Sequence, residues 1–199
     1  MALAFRQVEA GPAQEGEPRQ DEAATGHQGA ARPEDAFRPP GAGPAVALLA
    51  PHRSCAHTAH VVARLLDGPE LGAHVLEAGQ ALPRGERPVI VAPSTAHDIG
   101  AAARMLGSWQ LHLPLPVLLV AADAPVPMPR IAAHRIRTLE KRVRAVVHLP
   151  YLPRLREVDD PLECLTPARG TRAPRAARRV ARLRADLLRI LTETTEATR

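Results

Sequence analysis

Aromatic residues and lysine are nearly absent from this chain of 199 residues. Aromatic side chains make up 2% of the sequence, and Lys141 is the only lysine among 26 basic residues. A core with so few rings has to be built from valine, leucine, isoleucine and alanine. The formal net charge of +5 is therefore carried by arginine.

Cysteines and long apolar runs are also scarce. Cys55 and Cys164 lie far apart and match no disulfide framework or CxxC motif. No stretch approaches the roughly 20 apolar residues that span a bilayer, and the N-terminal "MALAFRQVEAG" lacks the pattern of a secretory signal. These absences predict a cytoplasmic protein without a membrane span.

Composition divides the chain into four segments. Residues 1–44 are rich in Ala, Gly, Pro, Glu and Gln without apolar periodicity, which predicts a disordered tail. Short apolar runs alternate with amphipathic stretches over residues 45–158, the expected α/β domain. A proline-rich linker at 159–174 precedes an amphipathic basic helix expected at 175–197.

The apolar runs of the second segment predict the fold class. "AVALLA", "RPVIVA", "PVLLVAA" and "RAVVHL" are separated by helical patterns and do not alternate with polar residues. This arrangement is typical of βαβ units in a three-layer α/β fold with a mostly parallel sheet, because helices then cover both faces. "HVLEA" at 74–78 suggests an additional edge strand, and the prolines of "DAPVPMPR" exclude a helix before about residue 129.

Ligands of open parallel sheets bind beyond the carboxyl ends of the strands. In this sequence that edge would carry eight candidate residues: His52, Arg53, Ser54, His57, Thr58, Ser94, Asp123 and Tyr151. Structural roles compete with ligand binding at three of them. Ser94 also suits a helix cap, Asp123 a turn, and Tyr151 packing on the exit loop.

The stretch between the first run and its helix does not match a phosphate-binding loop. Such a loop needs glycines, a lysine for the β- and γ-phosphates and a hydroxyl for magnesium, but "PHRSCAHT" has neither glycine nor lysine. Thr58 stands where the magnesium hydroxyl would be and His57 where the lysine would be. No metal site is predicted, because the spacing of Cys55, His57 and His60 matches no established zinc motif. A nucleophilic role for Cys55 lacks an identifiable orienting partner.

Three later stretches carry a resemblance to a known family. "RPVIVAPSTAHDIGAAARML", "PVLLVAADAP" and "RAVVHLPYLPRLRE" resemble the latter half of MinD/ParA-like P-loop ATPases, and are still more similar to an uncharacterised actinobacterial group of P-loop-like proteins. The resemblance covers about residues 45–158 and implies a doubly wound, P-loop NTPase-like fold. The Walker A lysines and the Walker B aspartate of that family have no counterpart here, and Thr58 alone carries over from Walker A. The implied protein is a pseudo-ATPase without a cofactor.

The C-terminal helix is the remaining candidate for an interaction surface. Residues 169–189 contain eight arginines against one acidic residue, Asp186. An apolar stripe, which includes Leu183 and Leu187, is flanked by an arginine face: Arg175, Arg178, Arg179 and Arg182. We expect a non-catalytic domain that acts through a protein partner or as a homo-oligomer. The alternative is a DNA-associated or anion- or nucleotide-binding accessory protein whose nucleic-acid binding is weak and non-specific.

Overall fold

The structure, a computed structural model, describes residues 43–167 and 174–196, and within them the chain forms five parallel strands and four α-helices. The strands are β1 (Ala45–Leu49), β2 (Gly72–Leu76), β3 (Arg87–Pro93), β4 (Val117–Ala121) and β5 (Ala145–Leu149). The helices are α1 (Arg53–Leu66), α2 (Ala96–Gly107), α3 (Arg130–Leu139) and α4 (Arg175–Glu196). Short 3₁₀ helices lie at Glu140–Arg142, Pro153–Arg156 and Pro161–Leu165.

The strands form one sheet in the order β2-β1-β3-β4-β5, and every neighbouring pair is parallel. This is the flavodoxin-like order of doubly wound folds. The prediction of an α/β fold with a parallel sheet is confirmed. The tail predicted for residues 1–44 lies outside the described residues except for its last two positions, and the predicted linker lies outside them at 168–173.

Two apolar clusters, one on each face of the sheet, explain why the strands read as continuous apolar runs. Val89 and Val91 of β3 point into a cluster with α1 and α4, whereas Ile90 and Ala92 point into a second cluster with α2 and α3. All four side chains are fully buried. Because both faces are covered, neither side of a central strand can be polar.

The apolar stripe of α4 belongs to the first of these clusters. Val180, Leu183, Leu187 and Ile190 are all buried there, so α4 is the second helix on the α1 face of the sheet. Within the described part of the chain, no helix combines the length and apolarity that crossing a membrane requires.

Several local predictions can be compared with the observed boundaries. The prolines before α3 delay that helix until Arg130, as expected, and β2 is an edge strand over Gly72–Leu76. Helix α1 begins at Arg53, about four residues earlier than its apolar pattern suggests. The side chain of His52 accepts a hydrogen bond from the backbone N–H of Ser54 and caps the helix there. Only residues 50–52 therefore connect β1 to α1.

Candidate functional site

The direction of winding reverses between β1 and β3. Helix α1 leaves β1 toward one face, and α2 leaves β3 toward the other. This divergence is the topological switch point at which doubly wound folds place their ligands. The first turns of α1 and α2 lie close together here, because Ser54 and Cys55 of α1 both contact Asp98 of α2.

Asp98 occupies the space between the two helix N-termini. Its Oδ1 accepts hydrogen bonds from Ser54 Oγ at 2.6 Å and Cys55 Sγ at 3.4 Å, and its Oδ2 accepts one from Thr95 Oγ1 at 2.6 Å. The side chain is 6% exposed. Burial alone would raise the pKa of Asp98, but the hydrogen bonds from Ser54, Thr95 and Cys55 outweigh it, so the pKa of this carboxyl is lowered. At neutral pH the switch point therefore holds a fixed negative charge.

The Asp98 carboxylate contacts the first turns of two helices. The N-terminus of a helix attracts an anion through its free amides and its dipole, and here the anion is supplied by the chain itself. A phosphate entering between the first turns would meet a like charge and a Ser54 hydroxyl that already donates to Asp98. The three-residue connection at 50–52 also provides no loop that could wrap around a phosphate.

The Cys55 thiol belongs to the same cluster, but its surroundings make it a poor nucleophile. It is fully buried, and burial together with the Asp98 charge raises its pKa to about 11. The thiol is therefore protonated at neutral pH, whereas a nucleophilic cysteine needs a thiolate. His57 and His60 are exposed on α1. Among residues 43–167 and 174–196, no three side chains of His, Cys, Asp or Glu are grouped so that they could hold a metal ion.

A separate small pocket lies beyond the carboxyl ends of β3, β4 and β5. Its volume is about 190 Å³, below the roughly 300–1,000 Å³ of typical small-molecule sites. Its walls are mainly apolar, and its polar residues are His57, Thr58, Asp123, Tyr151 and Arg156. Asp123 Oδ1 accepts a hydrogen bond from Ser94 Oγ at 2.7 Å, and the Asp123 backbone oxygen accepts one from Arg156 Nη2 at 3.0 Å. The Arg156 guanidinium also lies 5.5 Å from the centre of the Tyr151 ring, so Arg156 contacts both Asp123 and Tyr151 in the pocket wall.

The structure thus divides the eight candidate residues between two places. His52 and Ser54 belong to the switch point, and His57, Thr58, Asp123 and Tyr151 line the pocket. Ser94 does not cap α2, because Thr95 takes that position and accepts from the Asp98 N–H. Ser94 donates to Asp123 instead, and Arg53 is exposed at the start of α1.

The sequence does not indicate two residues of these sites. Asp98 is one of them, because its contacts with α1 join residues 44 and 43 positions apart. Arg156 carried no signal beyond its place in a basic "PRLR" stretch.

A third feature is a groove between β5 and the arginine face of α4. We call it the arginine groove; it is lined by His148, Pro150, Arg175, Arg178, Arg179 and Arg182, beside Leu183 and Asp186. The four arginines are exposed, and the groove has a volume of about 540 Å³. Arg179 Nη1 donates to the backbone oxygen of Tyr151 at 2.9 Å. Leu183 and Leu187, by contrast, are buried against the sheet.

Comparison of the chain with protein-family models, with curated proteins and with solved structures finds no match.

Proposed function

We propose that this chain is a non-catalytic, doubly wound α/β domain of the cytoplasm that acts by binding a protein partner. The proposed MinD/ParA-like relationship rests on the resemblance of the three stretches quoted under "Sequence analysis". The strand order adds no support for it, because a flavodoxin-like order does not single out a P-loop ATPase. The proposed location is supported by two cysteines that are both free and buried.

One observation carries the non-catalytic part of the proposal: the Asp98 carboxylate between the N-termini of α1 and α2. Phosphoryl transfer depends on positioning the phosphates and neutralising their charge. The switch point offers a negative group with its hydrogen bonds already made, and no lysine or glycine precedes Thr58 in the connection. A site of this chemistry repels the substrate it would have to hold.

A second candidate function is supported by the arginine groove. Four exposed arginines beside a single carboxylate, Asp186, suit an anionic partner such as a nucleic-acid backbone. A DNA-associated or anion-binding accessory protein would use this groove and leave the switch point unused. Self-association through α4 would require that its buried stripe leave the sheet, because Leu183 and Leu187 already pack there.

Phosphate release from ATP and GTP tests the non-catalytic proposal. We expect the full chain with magnesium to release phosphate no faster than a blank. Turnover above the blank that is lost in Thr58→Ala would overturn the proposal. The matched control is Thr138→Ala, which removes an exposed threonine of α3 far from either site.

A further inference from the structure

The outer edge of β5 is open in the described part of the chain. β5 is the last strand of the sheet, with β4 on one side and no strand on the other among residues 43–167 and 174–196. Alternate backbone N–H and C=O groups of an edge strand point away from its neighbour and can pair with another strand. Natural proteins protect such edges with prolines, charges or bulges, but "AVVHL" contains no proline and no lysine, arginine, aspartate or glutamate.

Two neighbouring cavities lie along this open edge, and we refer to them together as the groove. Its carboxyl-end half is the arginine groove. Its amino-end half has a volume of about 620 Å³ and is lined by the consecutive residues 143–147 together with the C-terminal part of α4. Asp186 lines both halves, so the two cavities are neighbours along α4. The strand edge thus forms one side of the groove and α4 the other, over a length of about eight residues, or roughly 25 Å of extended chain.

The charge of the groove is uneven. In the amino-end half, Arg189 forms an ion pair with Glu193, and Arg144 Nε donates to the backbone oxygen of Ile190. The lining of the carboxyl-end half contains four arginines and one carboxylate, that of Asp186. Their positive charge lies beside the last residues of β5, where His148 is exposed.

Building on the proposed function, we infer that this groove binds an extended acidic segment of a partner protein, which adds to the sheet as a strand next to β5. Strand addition supplies main-chain hydrogen bonds along the edge, and acidic side chains supply specificity by pairing with the arginines. Neither interaction alone uses the whole groove, because arginine is concentrated at one end and the open backbone extends along all of β5.

Two other occupants fit the groove less well. A second copy of the chain would bring the same positive surface, since the lining contains six arginines and two carboxylates, so two grooves facing each other would repel. A nucleic acid would satisfy the arginines but not the strand edge, and the lining offers no phenylalanine, tyrosine or tryptophan on which bases could stack.

The test is an equilibrium titration of the full chain with a synthetic eight-residue peptide that alternates valine and glutamate. The matched control peptide has the same sequence with alternate backbone amides N-methylated, which preserves its charge and blocks strand pairing. We expect the first peptide to bind and the N-methylated peptide not to bind measurably. On the protein, R178Q combined with R182Q should weaken binding by about fivefold, since each exposed ion pair contributes only modestly. R130Q combined with R137Q, two exposed arginines of α3, should leave it unchanged.

The inference would be overturned if neither peptide bound, whether or not a single-stranded oligonucleotide did. It would also be overturned by equal binding of the two peptides, by equal loss from the two arginine pairs, or by a β5-mediated dimer of the free chain in light scattering. The proposed function fails on a different result, which is nucleotide turnover. A chain that neither hydrolyses nucleotide nor binds the peptide would lose this inference and keep its non-catalytic assignment.

Discussion

Asp98 and Ser94 are the buried polar residues in the described part of the chain. A carboxylate that is 6% exposed is costly unless it is hydrogen-bonded, and three donors from two helices satisfy Asp98. The same contacts that join α1 to α2 also place a negative charge at the switch point. At this scale, one side chain joins two helices and supplies the negative charge on which the proposed exclusion of phosphate rests.

Replacing Asp98 with asparagine should lower stability in a pH-dependent way. The pKa of Asp98 in the folded chain lies below its ordinary value of 3.8, so the carboxylate contributes stability above that pH, and this contribution is lost as pH falls through the folded pKa. We expect Asp98→Asn to reduce the free energy of unfolding at pH 7 by about 1.5–3 kcal/mol. Urea denaturation should show this difference narrowing below pH 3.8. Asp159→Asn, at an exposed carboxylate, serves as the control, and a difference that stays constant with pH would contradict the role given to the charge.

The cysteine thiols should be unreactive in the folded protein. A pKa of about 11 leaves on the order of one Cys55 in ten thousand as thiolate at pH 7, and burial also raises the pKa of Cys164. Ellman's reagent should therefore label the native chain very slowly and both cysteines promptly in denaturant. Rapid labelling of native Cys164→Ser, in which Cys55 is the remaining thiol, would show that the switch point opens readily.

Among the elements, α4 has two faces with different roles. Its apolar stripe packs on the sheet, and Arg184 binds the C-terminal end of α1. Arg184 Nε and Nη2 donate to the backbone oxygen of Leu65 at 3.0 and 2.7 Å, and Nη2 also donates to the backbone oxygen of Asp67 at 3.0 Å. A guanidinium suits the free carbonyls at a helix C-terminus. The helix is thus fixed on one side and presents its arginines on the other.

Single substitutions should separate these two faces. Leu187 is fully buried, so Leu187→Ala should cost about 2–5 kcal/mol of unfolding free energy. Arg182→Gln should change it by less than about 0.5 kcal/mol, because exposed charges contribute little. Urea denaturation of both variants measures the difference. If Leu187→Ala unfolded at the same urea concentration as the parent chain, α4 would not be docked as described.

At the scale of the whole molecule, local patterns predicted the architecture but not the state of the site. The run "RPVIVAP" and the helices beside it carry their periodicity within a few residues, so a parallel sheet follows from sequence alone. Two contacts join α1 to its neighbouring helices, Ser54 with Asp98 and Arg184 with Leu65, and they link residues that are 44 and 119 positions apart. No short-range pattern encodes such pairs. The absence of lysine and glycine from residues 51–58 was visible in the sequence, whereas the contacts of the Asp98 carboxylate with α1 were not.

Thermal unfolding with and without magnesium nucleotide tests the central claim most directly. A ligand at a hundred times its Kd stabilises a folded protein by about 2.7 kcal/mol, so even a site without catalytic activity would raise the unfolding midpoint. If Asp98 closes the switch point, saturating ATP or GTP with magnesium will leave the midpoint of the full chain unchanged. A clear rise that disappears in Thr58→Ala would show that nucleotide still enters the fold, and would contradict the account.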